Sequence, residues 1–393
     1  MWINREISSV LPELHASKPV LLITGARQTG KTSLCQEIFP QHSYVSLDLP
    51  RIAEEADESG EAFLANYGEP LIIDEVQYAP KLFRYLKHAV DTKRNANGRY
   101  ILTGSQKFSL MSQVSESLAG RVSIVELHTL SLSELERSSN KRIEGSQLQQ
   151  SMFLGGFPGL HASDLKPHRF FGDYVATYLE RDVRQAIRVQ NLRDFDRFMR
   201  MVAIRTGQLL SMNSLAADLG VSPSTIKSWL SVLEASQIIC LLEPYYNNPG
   251  KRIVKTPKLY FLDTGLACFL AGLRSDEDLR SSALLGPMFE TLVLGQIIRW
   301  HTNRGLRPQV YFYRDHYGLE VDFVLPVGEK LKLYECKWAE TPNKVTKAFS
   351  EMTKIFGEEN ILTKSIITPV RGSRRAQDGI IIEDCVDLLS LAT

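Results

Sequence analysis

The stretch Leu21-Leu22-Ile23-Thr24-Gly25-Ala26-Arg27-Gln28-Thr29-Gly30-Lys31-Thr32 decides the first third of the chain. An apolar run leads into G-x-x-x-x-G-K-[ST], filled by Gly25, Gly30, Lys31 and Thr32. Leu34, Cys35 and Ile38 then recur at helical spacing. A buried strand feeding a glycine loop that opens a helix is the context a phosphate-binding loop needs. Backbone N–H groups turn toward the phosphates there, and the helix N-terminus adds partial positive charge. Lys31 is placed to reach the β- and γ-phosphates, and the Thr32 hydroxyl to ligate Mg²⁺. The nucleotide-binding set runs through Gly25, Ala26, Arg27, Gln28, Thr29, Gly30, Lys31, Thr32 and Ser33.

A second apolar strand, Leu71-Ile72-Ile73, ends in Asp74-Glu75. A central parallel strand is buried on both faces, which accounts for its unbroken apolar run. Carboxylates at its C-terminal edge sit where doubly wound sheets bind ligands. Asp74 is expected to hold Mg²⁺ through water, and Glu75 to polarise the attacking water. A third apolar strand, Tyr100-Ile101-Leu102, ends in Thr103-Gly104-Ser105. Thr103 or Ser105 is the candidate γ-phosphate contact; a hydroxyl satisfied at the strand end is the plainer reading. Arg121 precedes a further strand and is the candidate transition-state cation, in cis or from a neighbouring subunit.

Bulk properties frame these motifs. At 393 residues the chain exceeds a single core, and two or three domains are expected. The 46 basic and 45 acidic residues leave a net charge of +1, so nucleic-acid binding would need local patches. Five scattered cysteines with no C-x-x-C pair support neither a zinc site nor a disulfide framework. No apolar run approaches the roughly 20 residues that span a bilayer, and the first residues lack a signal core. A cytoplasmic protein without membrane association is expected.

Gly25–Thr32, Leu71–Glu75, Leu102–Ser105 and Leu118–Arg121 together resemble an AAA-type P-loop ATPase. The likeness is greatest to bacterial and archaeal members that carry a C-terminal domain of unknown function. It implies ATP and Mg²⁺ as ligands and ATP hydrolysis as the activity, with Lys31, Glu75 and Arg121 catalytic. Thr32 and Asp74 are the metal contacts, and Asp74 and Ser105 complete the nucleotide site.

Further along, Arg137–Gln150 is polar and serine-rich and reads as a linker. His168–Gln190 reads as a helix carrying Glu180-Arg181-Asp182, where Arg181 either reaches nucleotide from a lid or makes a structural salt bridge. Ser211, Gly220, Ser222 and Pro223 punctuate a helix, a glycine turn and a second helix. Strands at Ile238–Leu242 and Lys258–Phe261 would form a wing made basic by Lys251, Arg252, Lys255 and Lys258. Ser224, Thr225, Lys227 and Ser228 would then face a DNA major groove. A module used only for packing or protein contacts has the same pattern.

In the last third, Glu290 lies on an apolar helix, and the alternating runs 318–325 and 331–338 form a hairpin with Asp322, Glu335 and Lys337. Period two puts Glu335 and Lys337 on one face. Two carboxylates and a lysine suit Mg²⁺ binding and activation of a water. Glu290, Asp322 and Glu335-Cys336-Lys337 resemble the PD-(D/E)XK nuclease fold. The resemblance implies Glu290 as helix acid, Asp322 and Glu335 as ligands of a second metal, and Lys337 as catalytic lysine. Val321 replaces the proline of the family's PD pair.

The expected organisation is α/β throughout. A P-loop NTPase parallel sheet spans 1–135 and a helical linker 136–204. A winged helix-turn-helix follows over 205–260, then an α/β nuclease-like domain over 261–393. Candidate partners are DNA, a second copy of the chain or another protein.

Overall fold

The computed structural model describes residues 2–105, 107–178, 192–245, 255–339, 347–376, 379–386 and 388. Arg181, Lys251 and Arg252 lie outside them. Five parallel strands build the first sheet: β1 (Val20–Thr24), β2 (Ser43–Ser46), β3 (Leu71–Asp74), β4 (Tyr100–Gly104) and β5 (Val122–Glu126). Their order is β2-β3-β4-β1-β5. β4 therefore lies between the strand that feeds the glycine loop and the strand that ends in Asp74. β1, β3 and β4 are buried at every position, as both-face coverage requires. Alternate residues feed two apolar clusters, with Leu22 and Ile73 in one and Leu21, Ile23 and Ile72 in the other.

The expected linker at Arg137–Gln150 keeps a loop only over 140–145; helices at Leu132–Ser139 and Ser146–Leu154 take its two ends. A capping box explains the first. Ser131 accepts from the Glu134 backbone N–H, and the Glu134 side chain accepts from the Ser131 N–H. A boundary at 136 falls inside that helix.

The middle segment carries the helix pair Met212–Leu219 and Pro223–Ala235 around Gly220, whose φ is 70°. Both helices are capped as the serine spacing predicts, by Ser211 and Ser222. Beside them β6 (Gln208–Leu209), β8 (Lys258–Phe261) and β7 (Ile239–Leu242) form an antiparallel sheet in that order. Ser224, Lys227 and Ser228 are exposed. Lys258 is not part of a basic surface, because it is 2% exposed on the central strand of this sheet.

The C-terminal sheet is mixed, with parallel and antiparallel neighbours among its six strands. Its strands are β9 (Tyr311–Arg314), β10 (Glu320–Val327), β11 (Lys330–Cys336), β12 (Ile361–Thr368), β13 (Arg374–Arg375) and β14 (Ile381–Asp384). The helix Leu285–Thr302 packs on one face and Lys347–Phe356 on the other. One apolar cluster joins the middle segment, the helix Leu285–Thr302 and one face of this sheet. The chain from Leu130 onward thus shares a core rather than breaking cleanly at 260.

Among the described residues no helix is long and apolar enough to cross a membrane.

Candidate nucleotide-binding site

The loop after β1 is shaped by two glycines. A Cβ on Gly25 would lie 2.4 Å from the Leu127 carbonyl oxygen, closer than real contacts allow. Gly30 has φ of 89° and sits directly before the helix Lys31–Ile38. The left-handed region favours glycine there. Lys31 is buried, and its ammonium donates to the loop's own carbonyls at Gly25 (2.9 Å) and Ala26 (3.0 Å). Burial pulls the ammonium below its ordinary range, opposed by the Glu75 and Asp74 carboxylates.

Asp74 joins three elements. Its Oδ2 accepts from the Thr32 hydroxyl at 2.9 Å and the Tyr44 hydroxyl at 3.0 Å, and its Oδ1 accepts from the Thr103 hydroxyl. Burial, with Asp74 adding to it, pushes the Tyr44 phenol up to about 12. Thr103 in turn accepts from the Glu75 backbone N–H at 3.3 Å. Glu75 has φ of 55°, an uncommon conformation for a non-glycine residue, and its carboxylate accepts from Gln77 Nε2 at 2.5 Å. The Ser105 hydroxyl is buried at the end of β4 with no hydrogen-bond partner among the described residues. Hard oxygen donors at Thr32 and Asp74, the Lys31 ammonium and this unsatisfied hydroxyl fit a Mg²⁺-nucleotide. Lys31, Thr32, Asp74, Glu75, Thr103 and Ser105 are all brought to one sheet edge.

Arg121 is not at that edge. It precedes β5, and its carbonyl accepts from Val20 N–H at the start of β1. In a parallel sheet the loop after β1 is then a full strand away, roughly 15 Å at about 3.3 Å per residue. Arg121 instead donates to Asp91 at 2.8 Å. The in-cis transition-state role is thereby overturned by sheet polarity.

Arg5 belongs to the site although its sequence gives no motif. It is 6% exposed and donates to the Thr29 carbonyl of the loop (3.0 Å), the His128 carbonyl (2.7 Å) and Glu134 Oε1 (3.0 Å). Asp263 is a second missed residue. It accepts from Thr129 Oγ1 at 2.9 Å, Gly156 N–H at 2.8 Å and Leu266 N–H at 3.1 Å.

The second metal set does not assemble. Lys258 donates to Glu290 at 2.9 Å, and the Tyr260 hydroxyl also donates to Glu290. Asp322 Oδ2 accepts from the Cys336 N–H at 2.8 Å, and Lys337 pairs with Glu335 at 3.1 Å. A register irregularity between Val321 and Val324 lets both valines pack with Leu331 and Leu333 on one face. Period two then leaves Glu335 with Leu331 and Leu333, whereas Tyr334 and Cys336 pack toward the helix Leu285–Thr302. Among the described residues no three His, Cys, Asp or Glu side chains could hold a metal ion.

The parallel sheet and its loop constellation define a P-loop ATPase domain of the AAA class. Residues 17–136 match the family described as an AAA domain. Residues 145–277 and 285–383 match two families described as domains of unknown function, DUF8612 and DUF4143. The chain belongs to the family of the uncharacterized protein Rv2008c of Mycobacterium tuberculosis. The two are 31% identical over 336 residues, 84% of this chain and 72% of that protein. Mb2031c of Mycobacterium bovis matches at the same identity and coverage. Among solved structures, the Walker-type ATPase PABY2304 of Pyrococcus abyssi is 17% identical with a TM-score of 0.46, covering 68% of this chain and 96% of that one. AMPPCP-bound DnaA from Aquifex aeolicus is 13% identical with a TM-score of 0.30, covering 58% and 85%.

Proposed function

We propose that the chain binds and hydrolyses ATP with Mg²⁺, and that nucleotide state controls the middle helix pair and the C-terminal domain in contact with nucleic acid. The observation that carries the first half is the Thr32–Asp74–Thr103 network, with Lys31 and Glu75 at the same edge. Thr32 and Asp74 hold the ion. Lys31 neutralises phosphate charge, Glu75 orients the water, and Thr103 positions Asp74 and the Glu75 backbone.

The control path is physical. Arg5 ties the Thr29 carbonyl to His128. Arg299 donates to the next carbonyl, Thr129, at 2.8 Å, and Gln296 accepts from Leu132 N–H at 2.9 Å. Both lie on the helix Leu285–Thr302, which also carries Glu290. A shift of the loop is thereby delivered to the C-terminal domain through a rigid helix.

The helix pair beside a small antiparallel sheet supports the winged-helix reading, in which the exposed Ser224, Lys227 and Ser228 face the groove. The carboxylates of the C-terminal domain are already taken up by lysines, Glu290 and Glu320 by Lys258 and Glu335 by Lys337, which favours an ATP-switched DNA-binding or protein-interaction adaptor over a nuclease. The test is ATP turnover together with duplex DNA binding in ATP and in ADP across a salt series. The proposal expects turnover, and DNA affinity that differs between nucleotides and falls with salt. Turnover with no DNA binding in either state leaves the protein-partner form of the adaptor. No turnover removes the proposal.

A further inference from the structure

We propose that Lys258 is the resident cation of the C-terminal acidic centre, and that the middle segment thereby keeps this centre closed to divalent ions. Lys258 stands on β8, outside the C-terminal sheet, yet its ammonium lies 2.9 Å from Glu290 Oε1 and 2.5 Å from Glu320 Oε1. These carboxylates come from the helix Leu285–Thr302 and from β10. Asp322, two residues further along β10, faces the same charge. The ammonium also lies 5.6 Å from the centre of the Phe312 ring and 6.0 Å from that of Tyr260.

Charge and volume both explain the closure. An ammonium is held by three directed hydrogen bonds, whereas Mg²⁺ needs oxygens at about 2.1 Å in an octahedron. A divalent ion cannot enter among Glu290, Glu320 and Asp322 while the ammonium is there. Arg314 holds Glu320 from its other side at 2.5 Å, and Lys337 holds Glu335. Glu290 and Asp322 therefore depend on Lys258, with Lys337 adding its charge at Asp322. Burial works against the Lys258 charge, but Glu290, Asp322 and Glu320 overcome it and hold the ammonium above its ordinary range. Burial, reinforced by Asp322, pushes Glu290 up, as expected where one cation serves several acids.

Withdrawing Lys258 requires moving β8, which is hydrogen-bonded to β6 and β7 on its two sides. Opening is thus tied to displacement of the whole small sheet. This inference rests on the geometry around Glu290, not on the ATPase reading, and ATP turnover does not bear on it.

The experiment is calorimetric titration of Mn²⁺ into the nucleotide-free full chain. It compares the parent, Asp322→Asn, Lys258→Met, and Lys258→Met with Asp322→Asn, each checked for cooperative melting. The parent and Asp322→Asn should bind Mn²⁺ alike. Lys258→Met should gain a site at least tenfold tighter than any in the parent, lost again in the double variant. Mn²⁺ should raise the melting temperature of Lys258→Met alone. An Asp322-dependent Mn²⁺ site in the parent overturns the proposal whether or not the lysine variants fold. A folded Lys258→Met, or Lys258→Gln in its place, that gains no site also overturns it.

Discussion

The guanidinium of Arg5 donates to the carbonyl of Thr29 at 3.0 Å, joining the start of the chain to the loop that precedes Lys31. The same group satisfies His128 and the fully buried Glu134. Arg5→Ala should remove the cationic partner of the buried Glu134 and one donor from each of the Thr29 and His128 carbonyls, costing about 3 kcal/mol or more. Calorimetry should show a lowered melting temperature, and nucleotide affinity should fall with it. Arg5→Lys should recover only part of both, because an ammonium cannot reproduce the planar fork.

Asp263→Ala should be destabilising on a similar scale, about 3–5 kcal/mol. It strips partners from Thr129, Gly156 and Leu266, and removes a negative charge that supports the buried Arg299. Urea unfolding of the variant measures this directly. An unchanged midpoint would contradict the role assigned to Asp263.

Glu69 gives a pH prediction. Arg99 donates to both its oxygens at 2.6 Å, and these bonds hold its carboxyl down to about 2, from an ordinary 4.5. A depressed carboxyl contributes stability above its ordinary value and loses it as pH falls through the depressed one. Glu69→Gln should therefore be less stable than the parent at pH 7. The gap should narrow from about pH 4.5 downward and close near pH 2, as read by denaturant midpoints across the range.

Arg121→Ala should leave ATP turnover near the parental rate, because sheet polarity sets Arg121 at the edge opposite Lys31. Its bond to Asp91 is solvent-screened and contributes little to stability. A large loss of turnover that is concentration-dependent would instead place Arg121 at the site of a second copy.

What was legible in the sequence was what is local. Gly25–Thr32 carries its own strand, turn and helix signals, and Asp74-Glu75 ends a run whose burial is written in its composition. Ser211, Ser222 and Pro223 announce their helices because capping acts over three residues. Arg121 misled because its sheet edge depends on strand polarity and order, which spacing does not encode. Lys258 looked like one more basic wing residue; its burial depends on Glu290 and Glu320, 32 and 62 positions later. Arg5 meets Glu134 across 129 positions, and no motif marks such a pair. The Ser131–Glu134 capping box was readable, but the polar composition after it suggested a loop.

The account turns on Lys31 and Glu75 at one edge of the sheet. The most direct measurement is equilibrium binding of a fluorescent ATP analogue, alongside phosphate release, for the parent, Lys31→Ala and Glu75→Gln. The account predicts that Lys31→Ala loses binding. Glu75→Gln should retain binding while phosphate release falls by 100-fold or more, on the order of 3 kcal/mol of barrier. Parental binding and turnover in both variants would contradict it.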